Sequence, residues 1–100
     1  MISTGCTVEN SFKFPYEKSD VAALLVTYKC EDKIVVEKEL GDCIIKEGRV
    51  YVKLSQEDTL AFPDNALVKV QIRGRLKSGA VIKCKVINAY SDEVLNRKVI

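Results

Sequence analysis

"LVKVQIRGRLKSGAVIKCKV", residues 67–86, decides the fold. Val68, Val70, Ile72 and Gly74 fall at every second position of its first half, and Ile82, Cys84 and Val86 do the same in its second. A period of two marks half-buried strands, because successive side chains of a strand point to opposite faces. Bringing both sets to one side sets Ile72 opposite Cys84 and Val70 opposite Val86, which leaves Lys77-Ser78-Gly79 as a three-residue loop. Such loops end in a left-handed residue, and Gly79 supplies it without a Cβ clash. A two-residue Ser78-Gly79 turn would set Ile72 opposite Lys85 and mix the two faces.

The same register predicts the outer face. Arg73 lies opposite Lys83, Gln71 opposite Lys85 and Arg75 opposite Val81. Like charges directly opposed cost a few tenths of a kcal/mol, up to about 1 kcal/mol, unless something neutralises them. Gln71, Arg73, Arg75, Lys83 and Lys85 are therefore the candidate docking face. Three anionic neighbours fit: Glu37 or Glu39 from an adjacent strand, an acidic surface of another protein, or a phosphate backbone.

Working outward, "RVYVKL" (49–54) alternates with Val50, Val52 and Leu54 on one side, and "NSFKF" (10–14) repeats the pattern until Pro15 ends it. "ALLVTYKC" (23–30) is apolar on both faces, as a central strand would be, and "KIVVEKEL" (33–40) follows the polar turn Glu31-Asp32-Lys33. Residues 23–39 thus read as a hairpin. One short helix is expected near 55–61, with Ser55 as N-cap, Asp58 three residues on and Pro63 as its stop. "SDEVLN" (91–96) supports one helical turn at most, and the closing "NRKVI" reads as an edge strand of this domain or across subunits. The expected fold is all-β: a single-domain antiparallel β-sandwich, immunoglobulin-like, with seven or eight strands and residues 1–100 in one domain.

Composition excludes several functions. The net charge is +2, yet six bases and no acid lie between Asn65 and Ser91, against ten bases and fourteen acids elsewhere. The chain is a mildly acidic body with one basic segment. Histidine is absent, the five glycines are scattered, and Glu31-Asp32, Glu57-Asp58 and Asp92-Glu93 lie in turns or at a helix start. No general base, phosphate loop or carboxylate dyad emerges, so the expectation is a non-enzyme without cofactor or small-molecule substrate. Cys6, Cys30, Cys43 and Cys84 stand far apart with no C-x-x-C pair, which predicts reduced, buried thiols and no metal site. The start lacks a charged and then apolar leader and the longest apolar run is Val21 to Val26, so synthesis in the cytoplasm without membrane insertion is expected. Nucleic-acid binding through 67–86 has the charge it needs but lacks aromatic platforms, since no Phe, Tyr or Trp lies between Phe62 and Tyr90.

"GCTVENSFKFPYEKSDVAALLVTY", "VKLSQEDTLAF", "VKVQIRGRLKSG" and "SDEVLNRKVI" together resemble short proteins encoded by phages and prophages of Gram-positive bacteria. The Gly5-x-Thr7 start, the Phe-rich first strand and the short β domain are similar to the N-terminal immunoglobulin-like domains of baseplate proteins. The resemblance implies a tail, baseplate or head-associated component, made in the host cytoplasm and then virion-associated, whose partners are other virion proteins and further copies of itself. It assigns no chemical role to any residue. A small soluble effector that inhibits a host defence protein is the alternative of a different class, and nucleic-acid binding through the basic hairpin is a third.

Overall fold

The computed structural model describes residues 2–100 and contains eight strands and one α-helix. The strands are β1 (Val8–Lys13), β2 (Val21–Cys30), β3 (Lys33–Glu39), β4 (Cys43–Lys46), β5 (Arg49–Leu54), β6 (Leu67–Leu76), β7 (Val81–Lys83) and β8 (Ile87–Tyr90). They form two antiparallel sheets, ordered β1-β5-β4 and β3-β2-β6-β7, with β8 also on β6. In immunoglobulin lettering these are B-E-D and C′-C-F-G, with β7 and β8 sharing the G position. The expected all-β sandwich is therefore what the chain forms.

The alternations of the sequence explain the core. Val50, Val52 and Leu54 of β5 face Val26 and Tyr28 of β2 and Val68, Val70 and Ile72 of β6, all buried. Tyr28 spans the sandwich: its hydroxyl donates to Asn10 Oδ1 on β1 at 2.8 Å, and its ring meets Phe62 edge-on at 6.0 Å. A buried phenol needs such a partner, because an unpaired hydroxyl in an apolar interior loses its hydration for nothing.

Helix α1 (Gln56–Leu60) follows β5 where the sequence places it, and Ser55 and Asp58 form a reciprocal capping box. Beside it, the buried hydroxyl of Thr59 accepts from Gly5 N–H at 3.0 Å and donates to Cys6 O at 2.8 Å. Ile2 forms a parallel bridge with Ser91, so the first residues are strapped along the end of β8. The β2–β3 hairpin is closed by Cys30 and Lys33, with Glu31 and Asp32 both at positive φ (50° and 63°).

The β6–β7 hairpin keeps part of its expected register. Arg73 pairs with Lys83 and Arg75 with Val81, and Leu76 N–H donates to Ala80 O at 2.8 Å across the loop 77–79, where Gly79 has φ +94°. Beyond Cys84 the expectation fails. Val70 pairs with Ile87, not Val86, so one more residue lies between Lys83 and Ile87 than between Val70 and Arg73. Residues 84–86 are a bulge, which puts Ile87 and Ala89 over the core and leaves Val86 51% exposed. The Gln71–Lys85 pairing is lost with it.

Two further expectations are corrected. Residues 92–100 form neither a helical turn nor an edge strand. Arg97 holds this tail instead, donating to Leu60 O at 2.8 Å and pairing with Asp64 at 2.6 Å. The tail's backbone is held by side chains in place of a ladder: Val94 N–H donates to Asp64 Oδ1 at 3.3 Å and Ile100 N–H to Gln56 Oε1 at 3.1 Å. Nor are all four cysteines buried: only Cys30 is, Cys43 and Cys84 are half-buried and Cys6 is exposed.

Candidate docking face

The outer face of the five-stranded sheet carries the charge. Along β6, Lys69, Arg73 and Arg75 point outward and are exposed, as is Lys83 on β7. Their cross-strand neighbours follow from the register: Lys69 faces Lys29 and Asn88, Arg73 faces Leu25 and Lys83, and Arg75 faces Ala23 and Val81. Glu39 pairs with Leu25, so it lies in the row of Arg73 but with β2 in between. Among the described residues no ion pair joins it to Arg73 across that strand. Of the three anionic neighbours expected, Glu37 and Glu39 thus lie on a strand that is not adjacent to β6 and form no ion pair with the hairpin.

Among the described residues the ion pairs are Lys29–Asp32, Lys38–Asp58 and Arg97–Asp64. None includes Arg73, Arg75, Lys83 or Lys85. Arg73 and Lys83 therefore sit directly opposed, with no ion pair to either among the described residues.

Between the charged rows runs a groove of about 540 Å³. Its floor is Ala23 and Leu25, one wall is Glu39 and Leu40, and the other is Arg73, Arg75 and Val81. An apolar floor between a cationic and an anionic wall suits an extended segment that lays carboxylates towards the guanidinium forks, which bind them bidentately. The floor comes from "ALLV" in β2. Its outward apolar residues were visible in the sequence as a two-faced strand, but nothing in the sequence set them beside Arg73.

The five expected residues divide. Arg73, Arg75 and Lys83 share one exposed face. Gln71 is half-buried and its amide donates to Cys84 O at 3.3 Å, so it ties down the bulge. Lys85 lies inside the bulge, exposed but outside the ladder.

The thiols differ in their surroundings. Burial raises the Cys30, Cys43 and Cys84 thiols above their ordinary value. Cys43 reaches about 11, with Asp42 adding to the effect of burial and Lys38 opposing it. Burial thus disfavours the thiolate at these three positions. Among the described residues no three His, Cys, Asp or Glu side chains converge on a point that could hold a metal ion, and no helix is long and apolar enough to cross a membrane.

The strand order defines an all-β sandwich of two antiparallel sheets with a charged outer sheet face. No protein-family profile, curated protein or solved structure matches the chain.

Proposed function

We propose that the chain is a docking protein, a structural or assembly component of a phage particle, that receives an acidic segment of a neighbouring virion protein on the groove between β3 and β7. The observation that carries this reading is the opposed pair Arg73–Lys83, exposed, without an anionic partner in the chain and beside an apolar floor. Folding alone gains nothing from such a pair, whereas a partner's carboxylates between them turn repulsion into charge-assisted hydrogen bonds. Charge of this kind contributes specificity and encounter rate to an interface. The virion setting rests on the resemblance to short phage-encoded proteins.

Two measurements test it. Gradient-purified particles from an induced lysogen should contain the protein by immunoblot; recovery only in the particle-free fraction would favour the soluble effector. Fluorescence anisotropy should then show an alternating Glu-Leu peptide binding the wild type and losing at least about tenfold in affinity to R73E/K83E, equivalent to about 1.4 kcal/mol. Tighter binding of a single-stranded oligonucleotide, falling steeply with salt, would favour the nucleic-acid reading instead.

A further inference from the structure

The other sheet ends in β1, whose outer edge has no strand beside it among the described residues. The remaining edges carry devices against pairing. β3 is broken by a register shift opposite Tyr28 and Lys29 and turns Lys38 inward, β4 is four residues long, and β7 and β8 are separated by the bulge. β1 is six regular residues, with neither proline nor bulge.

Its hydrogen-bonding parity follows from one bond. Phe14 N–H donates to Gly48 O at 2.9 Å, one step past the Lys13–Arg49 pair. In an antiparallel ladder the bonded positions alternate, so the even-numbered residues turn their backbone groups to β5. Glu9, Ser11 and Lys13 turn theirs outward, and among the described residues their N–H groups have no backbone partner outside the ladder. The Ser11 carbonyl accepts from Arg49 Nη2 at 3.2 Å and keeps its second lone pair.

We infer that this edge pairs antiparallel with the same edge of a second copy, on a two-fold axis at Ser11. With Ser11 opposite its own copy, Glu9 stands opposite the second copy's Lys13, and Lys13 opposite the second copy's Glu9. Both ion pairs lie on the exposed face, and the odd-numbered residues close about six backbone hydrogen bonds. Moving the axis to Asn10 sets Glu9 against Ser11 and Lys13 against Thr7, which loses both ion pairs. The charges therefore select the register, in the self-complementary way that a two-fold contact requires. The product is a continuous sheet β4-β5-β1-β1-β5-β4 across two sandwiches. The basic groove lies on the opposite sheet and stays open, so this contact stands whether or not the docking role holds.

Sedimentation equilibrium at low ionic strength tests it on the wild type, E9K, K13E and the double swap E9K/K13E. Glu9 and Lys13 are exposed, so all four proteins should fold, with each reversal shifting stability by no more than about 1 kcal/mol through the cross-strand neighbours Lys53 and Arg49. The wild type should dimerise at or below about 100 µM, each single reversal should weaken the dimer about tenfold or more, and the double swap should restore it. Hydrogen exchange should slow at the amides of Glu9, Ser11 and Lys13 on dimerisation and nowhere on β4. A wild type that stays monomeric at that concentration overturns the inference. So does a dimer indifferent to the single reversals.

Discussion

Lys38 Nζ on β3 lies 2.8 Å from Asp58 Oδ2 at the start of α1, with both side chains less than a quarter exposed. Lys38 is an inward-pointing charge on an edge strand, and Asp58 also accepts from Ser55 N–H at 2.9 Å. One carboxylate thus closes the capping box and anchors the edge of the other sheet. Burial works to raise its pKa, but the Lys38 ammonium and the Ser55 hydrogen bonds outweigh it and hold the carboxyl below its ordinary 3.8. A lowered folded pKa makes the stabilisation complete above the unfolded value and removes it as pH falls through the folded one. Asp58→Asn should cost about 1–2 kcal/mol at neutral pH, by loss of the pair and weakening of the cap. Denaturant titrations should show the gap to wild type closing as the pH falls from about 4 through the lowered folded value, below which both proteins carry a neutral group. A gap independent of pH would remove Asp58 from the acid response.

Tyr28 holds the two sheets together through Asn10, and burial above all, with Cys43 and Asp58 adding to it, pushes its phenol far above the ordinary 10.0. Its contribution is therefore complete below the unfolded value and declines as pH rises past it. One of the four tyrosines should resist ionisation in an ultraviolet pH titration until the fold opens, and Tyr28→Phe should abolish that late step. The same substitution leaves Asn10 Oδ1 without its donor and should cost about 1–2 kcal/mol.

The bulge at 84–86 makes opposite forecasts for two adjacent residues. Val86 is 51% exposed while Ile87 packs on the core. Val86→Lys should change the melting free energy by less than about 0.5 kcal/mol, and Ile87→Lys should cost about 2 kcal/mol or more. The unbroken register of the sequence demands the reverse, so thermal denaturation of the two variants decides between them.

That contrast shows where the sequence stops being legible. Strands β1, β2, β3, β5 and β6, the helix with its Ser55–Asp58 box and the Lys77–Gly79 loop were readable, because each depends on neighbours a few residues apart, whereas β4 and β8 were not read. "CKVINAY" hides its bulge because Val86 and Ile87 are both apolar and no glycine marks the break. The strand order was equally hidden. Whether Glu39 or Leu25 lies beside Arg73 depends on which strands pair across forty residues of chain, and local period carries no such information. The shared face of Arg73, Arg75 and Lys83 depends on the hairpin alone, whereas the places expected for Lys85 and Gln71 depended on a register that the bulge breaks.

The thiols should separate by exposure. Cys6 is exposed, while the Cys30 thiol donates to Leu67 O at 3.3 Å and, like Cys43 and Cys84, is disfavoured as thiolate by burial. A thiol-exchange reagent at neutral pH should label one cysteine rapidly in the native protein and all four after denaturation. Mass mapping that finds Cys43 or Cys84 modified first would contradict the packing of β4 or of the bulge.

Arg73 and Lys83 face each other across β6 and β7, and their repulsion gives the docking residues a signature that a structural residue lacks. Arg73→Glu converts the like pair into an opposite one. The folded domain should gain a few tenths to about 1 kcal/mol, which raises the melting temperature by several degrees at this chain length. Salt should shrink the gain, since both side chains are exposed and the screening length falls to about 8 Å at physiological ionic strength. Affinity for an acidic peptide should fall in the same variant. A residue kept for folding loses stability when its charge is reversed, whereas one kept for a partner gains stability and loses binding. Calorimetry and anisotropy on this one substitution therefore separate the two roles, and a variant that melts earlier than wild type while binding normally would return Arg73 to the fold.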